Sequence, residues 1–154
     1  MVIIGSDHSG IELKKQVIEF LKRKRIDFID LTKVNDEADD YPDVALDICE
    51  KVLENNGNLG IAICGTGIGI SIACNKVKGI RAALCTDEYM AEFSRKHNNA
   101  NILCLGARLE SSKNINNIEA IVQAFLDNFY EAGRHERRVI KIENIENNNI
   151  KVGK

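Results

Sequence analysis

A chain of 154 residues with 44% apolar side chains can bury one core, and residues 1–154 are read as a single domain. Twenty-one Lys and Arg against 23 Asp and Glu leave a net charge of −2, which excludes the broad basic surface of a general nucleic-acid binder and confines any anion site to a local cluster. The opening MVIIGSDHSG has no cationic leader and its apolar run stops at Gly5, so the expected compartment is the cytoplasm. The uncharged run from Asn55 to Asn75 holds five glycines and reads as a buried strand, loop and helix rather than a membrane span.

In chain order, strands are expected at Val2 to Gly5, Ile26 to Asp30, Gly60 to Cys64, Ile80 to Leu84 and Ile102 to Leu105, short β-branched runs separated by helical patterns. In the first helix Leu13, Val17, Phe20 and Leu21 form the apolar face, with Lys14, Lys15, Lys22 and Arg23 on the other side. Ser9 and Glu12 have capping-box spacing at its start. A polar loop from about Thr32 to Tyr41 precedes a second helix, opened by Pro42, in which Val44, Ile48 and Val52 share a face. A third helix starts in the glycine loop after Cys64, a fourth covers about Asp87 to Lys96, and a fifth about Ile115 to Phe129. From about residue 134 the chain reads as a last helix that frays at Asn147 to Asn149. Strands alternating with helices predict an α/β domain with a mainly parallel sheet of five strands and helices on both faces.

In such sheets ligands bind beyond the carboxyl ends of the strands. Reactive groups follow four strands: Ser6-Asp7-His8, Cys64-Gly-Thr-Gly-Ile-Gly69, Thr86-Asp87 and Gly106-Ala-Arg108. The loop Gly65, Thr66, Gly67, Ile68, Gly69 joins strand to helix and can bring amide N–H groups to an anion. It is not the dinucleotide fingerprint, because the last glycine of that pattern is replaced by Ile70 and no Walker lysine follows. Five cysteines without a CxxC pair fit neither a disulfide framework nor a zinc site. Cys49, Cys74, Cys85 and Cys104 read as core fillers. Cys64 differs, because it feeds the glycine loop, where amides and a helix start favour a thiolate able to act as base or nucleophile. His97, before the fifth strand, is placed as a loop-side imidazole suited to proton transfer. Arg134 and Arg138, four apart on one helix face, suit a phosphate clamp that Arg108 and His8 could complete without a metal.

The stretches Gly5-Ser-Asp-His-Ser-Gly10, Asp40-Tyr-Pro42, Ile63 to Ala73 with Asn75-Lys76, Gly79-Ile-Arg-Ala82, Ser94-Arg with His97-Asn98, and Gly133 to Arg138 resemble, in order, ribose-5-phosphate isomerase type B and its galactose-6-phosphate isomerase relatives. The resemblance implies a Rossmann-like three-layer α/β/α sandwich and interconversion of ribose 5-phosphate and ribulose 5-phosphate through an enediolate, with no cofactor and no metal. Carried over, Cys64 is the base and His97 the ring-opening acid, with Thr66 assisting ring opening. Asp7, His8, Tyr41, Asn98 and the amides of Gly65, Thr66, Gly67, Ile68 and Gly69 contact substrate. His8, Arg108, Arg134 and Arg138 hold its phosphate. Relatives that use a carboxylate base carry it where this chain has Ile70, which places the chain with the cysteine users. The resemblance also implies a homodimer, or a pair of dimers, with His97 and some arginines reaching the partner's site. No nucleic acid or membrane partner is expected.

Two other readings stand beside this one. A relative acting on a six-carbon sugar phosphate, allose 6-phosphate or galactose 6-phosphate, would share every motif and differ in pocket length. A non-catalytic sugar-phosphate-binding module would bind without turnover, and has no use for a thiolate beside an oxyanion loop.

Overall fold

The computed structural model describes residues 1–31 and 40–148. Most of the expected polar loop and the end of the Asn-rich tail therefore lie outside the described residues. Strands β1 (Val2–Ser6), β2 (Phe28–Asp30), β3 (Leu59–Cys64), β4 (Ala82–Leu84) and β5 (Ile102–Gly106) alternate with α1 (Ile11–Arg23), α2 (Tyr41–Leu53), α3 (Ile68–Cys74) and α4 (Glu88–Asn98). Helices α5 (Ile115–Asp127) and α6 (Glu136–Asn148) follow β5.

The strands form one sheet in the order β2-β1-β3-β5-β4, and every pairing is parallel. Chain direction across the sheet reverses twice, and right-handed crossovers convert each reversal into a change of face. Moves in one direction, β1 to β2 and β4 to β5, put α1 and α4 on one face, where α5 joins them. Moves in the other, β2 to β3 and β3 to β4, put α2 and α3 on the opposite face. Two cores result. One joins Leu13, Val17, Leu21, Ala91, Ile121 and Phe125 to the sheet, and the other joins Val44, Ile48, Val52, Ile70 and Cys74 to it. Each fully buried Leu, Ile or Phe contributes about 1.5–3 kcal/mol relative to exposure. The run from Asn55 to Asn75 is β3, the glycine loop and α3, and among the described residues no helix is long and apolar enough to cross a membrane.

Local structure departs from the sequence pattern at four places. Lys14 is buried at 5% exposure on the supposedly polar side of α1, and its Nζ pairs with Asp30 Oδ1 at 2.8 Å. No Ser9–Glu12 capping box closes the helix start; instead Asp7 accepts the Ser9 N–H at 2.9 Å and the Ser9 hydroxyl at 2.6 Å, capping a 3-10 turn, His8–Gly10, that runs into α1. β2 begins two residues later than expected, because Arg25 is left-handed (φ 57°) and the Ile26 N–H returns to the Leu21 carbonyl to close α1. β4 begins at Ala82 because the Ile80 N–H is spent on a turn to the Val77 carbonyl.

Candidate active site

β1 and β3 are neighbours whose connections leave in opposite directions, which opens a crevice at their carboxyl ends. Cys64 is the last residue of β3, with 4% of its surface exposed, and its Sγ accepts the N–H of Gly67 at 3.2 Å. The turn that aims this amide needs glycine. Gly67 has φ +74°, and a Cβ there would lie 2.5 Å from Leu84 Cδ1.

The loop after β5 is laced to this turn: the Ala107 N–H reaches the Cys64 carbonyl and the Arg108 N–H the Gly65 carbonyl, both at 2.8 Å. The close approach depends on Gly106, where a Cβ would stand 2.5 Å from the Thr66 carbonyl carbon and oxygen. A Cβ on Gly65 would lie 3.6 Å from Arg108 Nη1 and 3.4 Å from Ser9 Oγ, so the arginine and the β1 loop meet over that glycine. On the other flank the Tyr41 ring packs onto Gly69, within 2.8 Å of where a Cβ would be. Asp7 is buried and anchored by its own N–H to the Ile63 carbonyl at 3.1 Å, while His8 beside it is exposed. Thr66, exposed at the loop tip, accepts the Ile68 N–H through Oγ1 at 3.3 Å. One chain thus brings together Asp7, His8, Tyr41, Cys64, the loop Gly65 to Gly69, and Arg108.

His97, Asn98, Arg134 and Arg138 are not beside them. α4 leaves the carboxyl end of β4 and runs back, so its last turn, holding His97 and Asn98, precedes the amino end of β5. A five-residue strand separates that edge from Cys64, about 13 Å at 3.3 Å per residue. The reading of His97 as a loop-side residue is therefore corrected by helix direction, which puts it at the amino edge of its own sheet. The two arginines do not share one helix either: Arg134 lies in a 3-10 turn, Gly133–His135, before α6, although Arg138 Nη1 still donates to the Arg134 carbonyl at 2.9 Å.

This second cluster contains a residue that the sequence reading passed over. The imidazoles of His97 and His135 are stacked, with ring centroids 3.9 Å apart and planes 13° from parallel. His135 is buried, and Arg134 Nε donates to its Nε2 at 3.2 Å. Burial, with the charges of His97, Arg134 and Arg138 adding to it, holds His135 below the usual imidazole value. Nothing in the spacing of residues 97 and 135 joins them. The contact is made by the tertiary fold, through the Glu131 N–H on the Lys96 carbonyl at 3.1 Å. On α4 the same face carries Phe93, edge-on to His97 at 4.5 Å, and Tyr89, 4.4 Å from Phe93.

His97, Glu131 and His135 also offer nitrogen and oxygen donors within 4.8 Å of one another. Near-parallel stacked imidazoles direct their in-plane lone pairs side by side, so as arranged the two rings do not converge on one ion. All five cysteines are unpaired and buried. Cys49, Cys74, Cys85 and Cys104 are core residues as expected, and burial pushes the Cys85 thiol up to about 11, which leaves it an inert hydrophobe. A cavity of about 610 Å³ lies at the amino edge of the sheet, lined by Arg81, Arg95, Asn99, Asn101 and Phe129 among others, away from Cys64.

Residues 2–142 match the family model described as Ribose/Galactose Isomerase. The probable ribose-5-phosphate isomerase B of Mycoplasma genitalium is 47% identical over 144 residues, covering 92% of each chain. The structure of ribose-5-phosphate isomerase B from Clostridium thermocellum superposes with a TM-score of 0.88 at 47% identity, covering 96% of this chain and 98% of the other. That of the Mycoplasma genitalium enzyme, with bound ribulose 5-phosphate, gives 0.87 at 44% identity over 95% of each. The chain belongs to the ribose/galactose isomerase family. It is an isomerase, and its resemblance within the family is to the type B ribose-5-phosphate isomerases.

Proposed function

We propose that this isomerase interconverts ribose 5-phosphate and ribulose 5-phosphate, with Cys64 as the base. The observation that carries the reading is the amide of Gly67 donating to Cys64 Sγ at the head of a glycine loop. A carbon acid beside a carbonyl needs a base on one side and N–H donors for the developing oxyanion on the other, and this loop sets both within one turn. Cys64 Sγ takes the proton from C2 of the open-chain aldose and returns it to C1, while the hydroxyl proton passes from O2 to O1. The enediolate oxygen faces loop amides between Gly65 and Gly69. Asp7 and Tyr41 border the sugar, and Arg108 and His8 take the phosphate from the near side.

Ring opening falls to His97, assisted by Thr66 and with Asn98 beside it, supplied by a second copy of the chain together with Arg134 and Arg138. Support comes from the separation of the two clusters to opposite edges of the sheet, since one chain holds half of the required groups at each edge. The exposed faces of α4 and α6, with Tyr89 at 69% and Ile145 at 60% exposure, supply apolar surface for such pairing. The relatives described above are named ribose-5-phosphate isomerase B, one of them solved with bound ribulose 5-phosphate, which favours a five-carbon substrate over allose 6-phosphate.

The test is turnover of ribose 5-phosphate and allose 6-phosphate by the wild type and Cys64→Ala in the presence of EDTA. Conversion of the pentose by wild type alone supports the reading. Binding of sugar phosphates without any conversion overturns it in favour of a binding module, and a preference for allose 6-phosphate moves the substrate to six carbons.

A further inference from the structure

We infer that His135 is a positioning residue that serves two groups at once, holding the imidazole of His97 in plane and the guanidinium of Arg134 in orientation. The inference rests on the ring-opening and phosphate roles proposed for those two residues.

His97 is the last aromatic residue of a column along α4, following Tyr89 and Phe93. Phe93 meets only the edge of this imidazole, which can still exchange among its staggered rotamers unless something packs on its open face. His135 does so, 13° from parallel. A ring that must hand a proton to one oxygen gains from being fixed, because misplacement by about 1 Å can cost on the order of 10²-fold in rate. The second link is polar. His135 Nε2 accepts from Arg134 Nε, which leaves the two terminal nitrogens of that guanidinium for a phosphate. The backbone is built to present both contacts: Ala132 and Gly133 have positive φ, both 51°, and the His135 N–H closes on the Ala132 carbonyl at 2.9 Å. Non-glycine residues adopt such conformations where surrounding structure demands it. An acceptor nitrogen facing Arg134 requires an uncharged ring, and the burial that lowers the His135 value acts in the same direction.

Two chemically different links mean that two substitutions separate them. His135→Phe keeps a flat ring against His97 and removes the acceptor; His135→Gln keeps an acceptor and removes the ring. His135→Phe is expected to raise KM for ribose 5-phosphate about tenfold with kcat close to wild type, and His135→Gln to lower kcat about tenfold with KM little changed. The kcat loss is expected for the aldose only. Ribulose 5-phosphate is open-chain, because phosphate blocks the hydroxyl that would close its five-membered ring, so its turnover does not need ring opening. His135→Ala should show both defects. Equal losses of kcat and KM in the two separating variants, or constants within about twofold of wild type in all three, would overturn the inference. If Cys64→Ala abolishes turnover while the His135 variants fail to separate, this inference alone falls; if Cys64→Ala turns over normally, the proposed function falls first.

Discussion

The N–H of Gly67 points at Sγ of Cys64 across 3.2 Å, and it can do so only because residue 67 is left-handed. The same residue has no room for a side chain, with Leu84 on one side and the Leu105–Gly106 backbone on the other. Gly67→Ala is therefore expected to act twice. Strain at φ +74° costs about 1–3 kcal/mol, and relief of that strain swings the retained N–H away from Sγ of the base and shifts the neighbouring loop amides, so kcat should fall by at least about tenfold. For a domain of this size, each kcal/mol corresponds to roughly 2–4 °C in Tm. Calorimetry beside steady-state kinetics checks both; a stable variant with unchanged kcat would remove the loop amides from the chemistry.

Lys14 supplies a second test, on the fold. Its ammonium, on α1, is tied to Asp30 at the end of β2, the edge strand that pairs with β1. Lys14→Met leaves the Asp30 carboxylate, about a third exposed, without this partner. Removal of one member of a fully buried pair costs about 3–5 kcal/mol; solvent at Asp30 reduces this to roughly 1–2 kcal/mol. Urea unfolding should show the loss, and Lys14→Met with Asp30→Asn should recover part of it. Additive losses in the double variant would mean that the pair contributes nothing of its own.

Lys14 also shows where a sequence stops being legible. Period and β-branching located every strand and every helix of the sheet layers, because apolar residues such as Leu13, Val17 and Leu21 must face a core whatever surrounds them. A lysine on the polar stripe gives no sign that a strand end with a carboxylate will meet it. The site divided in the same way. Cys64 and its glycines were legible because loop chemistry is local, and Arg108 because it follows a strand; Tyr41, the first residue of α2, came only from the resemblance. His97 was legible as a residue and not as a place: helix direction, which depends on the crossover, puts it at the far edge from Cys64. His135 gave no signal of its own, since its stacking on residue 97 joins positions far apart in the chain.

The depressed value of His135 makes stability depend on pH with a defined sign. Below its ordinary value the unfolded chain binds a proton that the folded chain refuses, so stability contributed by neutral His135 is present above about pH 6.5 and declines as pH falls through and below it. The groups facing it are His97 from α4, and Glu131, Arg134 and Arg138 from its own segment; Glu131 in turn lies 4.0 Å from Lys96, which is paired with Glu92 at 2.6 Å. Denaturant midpoints compared at about pH 5 and pH 8 should differ less in His135→Phe than in the wild type. An unchanged difference would place the acid sensitivity elsewhere.

Separation of Cys64 and His97 to opposite edges of one sheet leads to a prediction about mixtures. If a complete site takes Cys64 from one copy and His97 from another, Cys64→Ala and His97→Asn are each deficient with ribose 5-phosphate, but for different reasons. A mixed pair then contains one site with both defects and one with neither, because the intact cysteine of the second variant faces the intact histidine of the first. With random exchange of equal amounts, half of the pairs are mixed and each has one working site of two, so activity should return to about a quarter of wild type. The return should require exchange, and should appear after mild denaturation and joint refolding or after co-expression, rather than on brief mixing of stable pairs. Restored activity at that level fixes the shared site. Activity that stays at the sum of the two variants after exchange is demonstrated would mean that both residues serve the same chain, and that α4 must move by more than the length of a strand to bring them together.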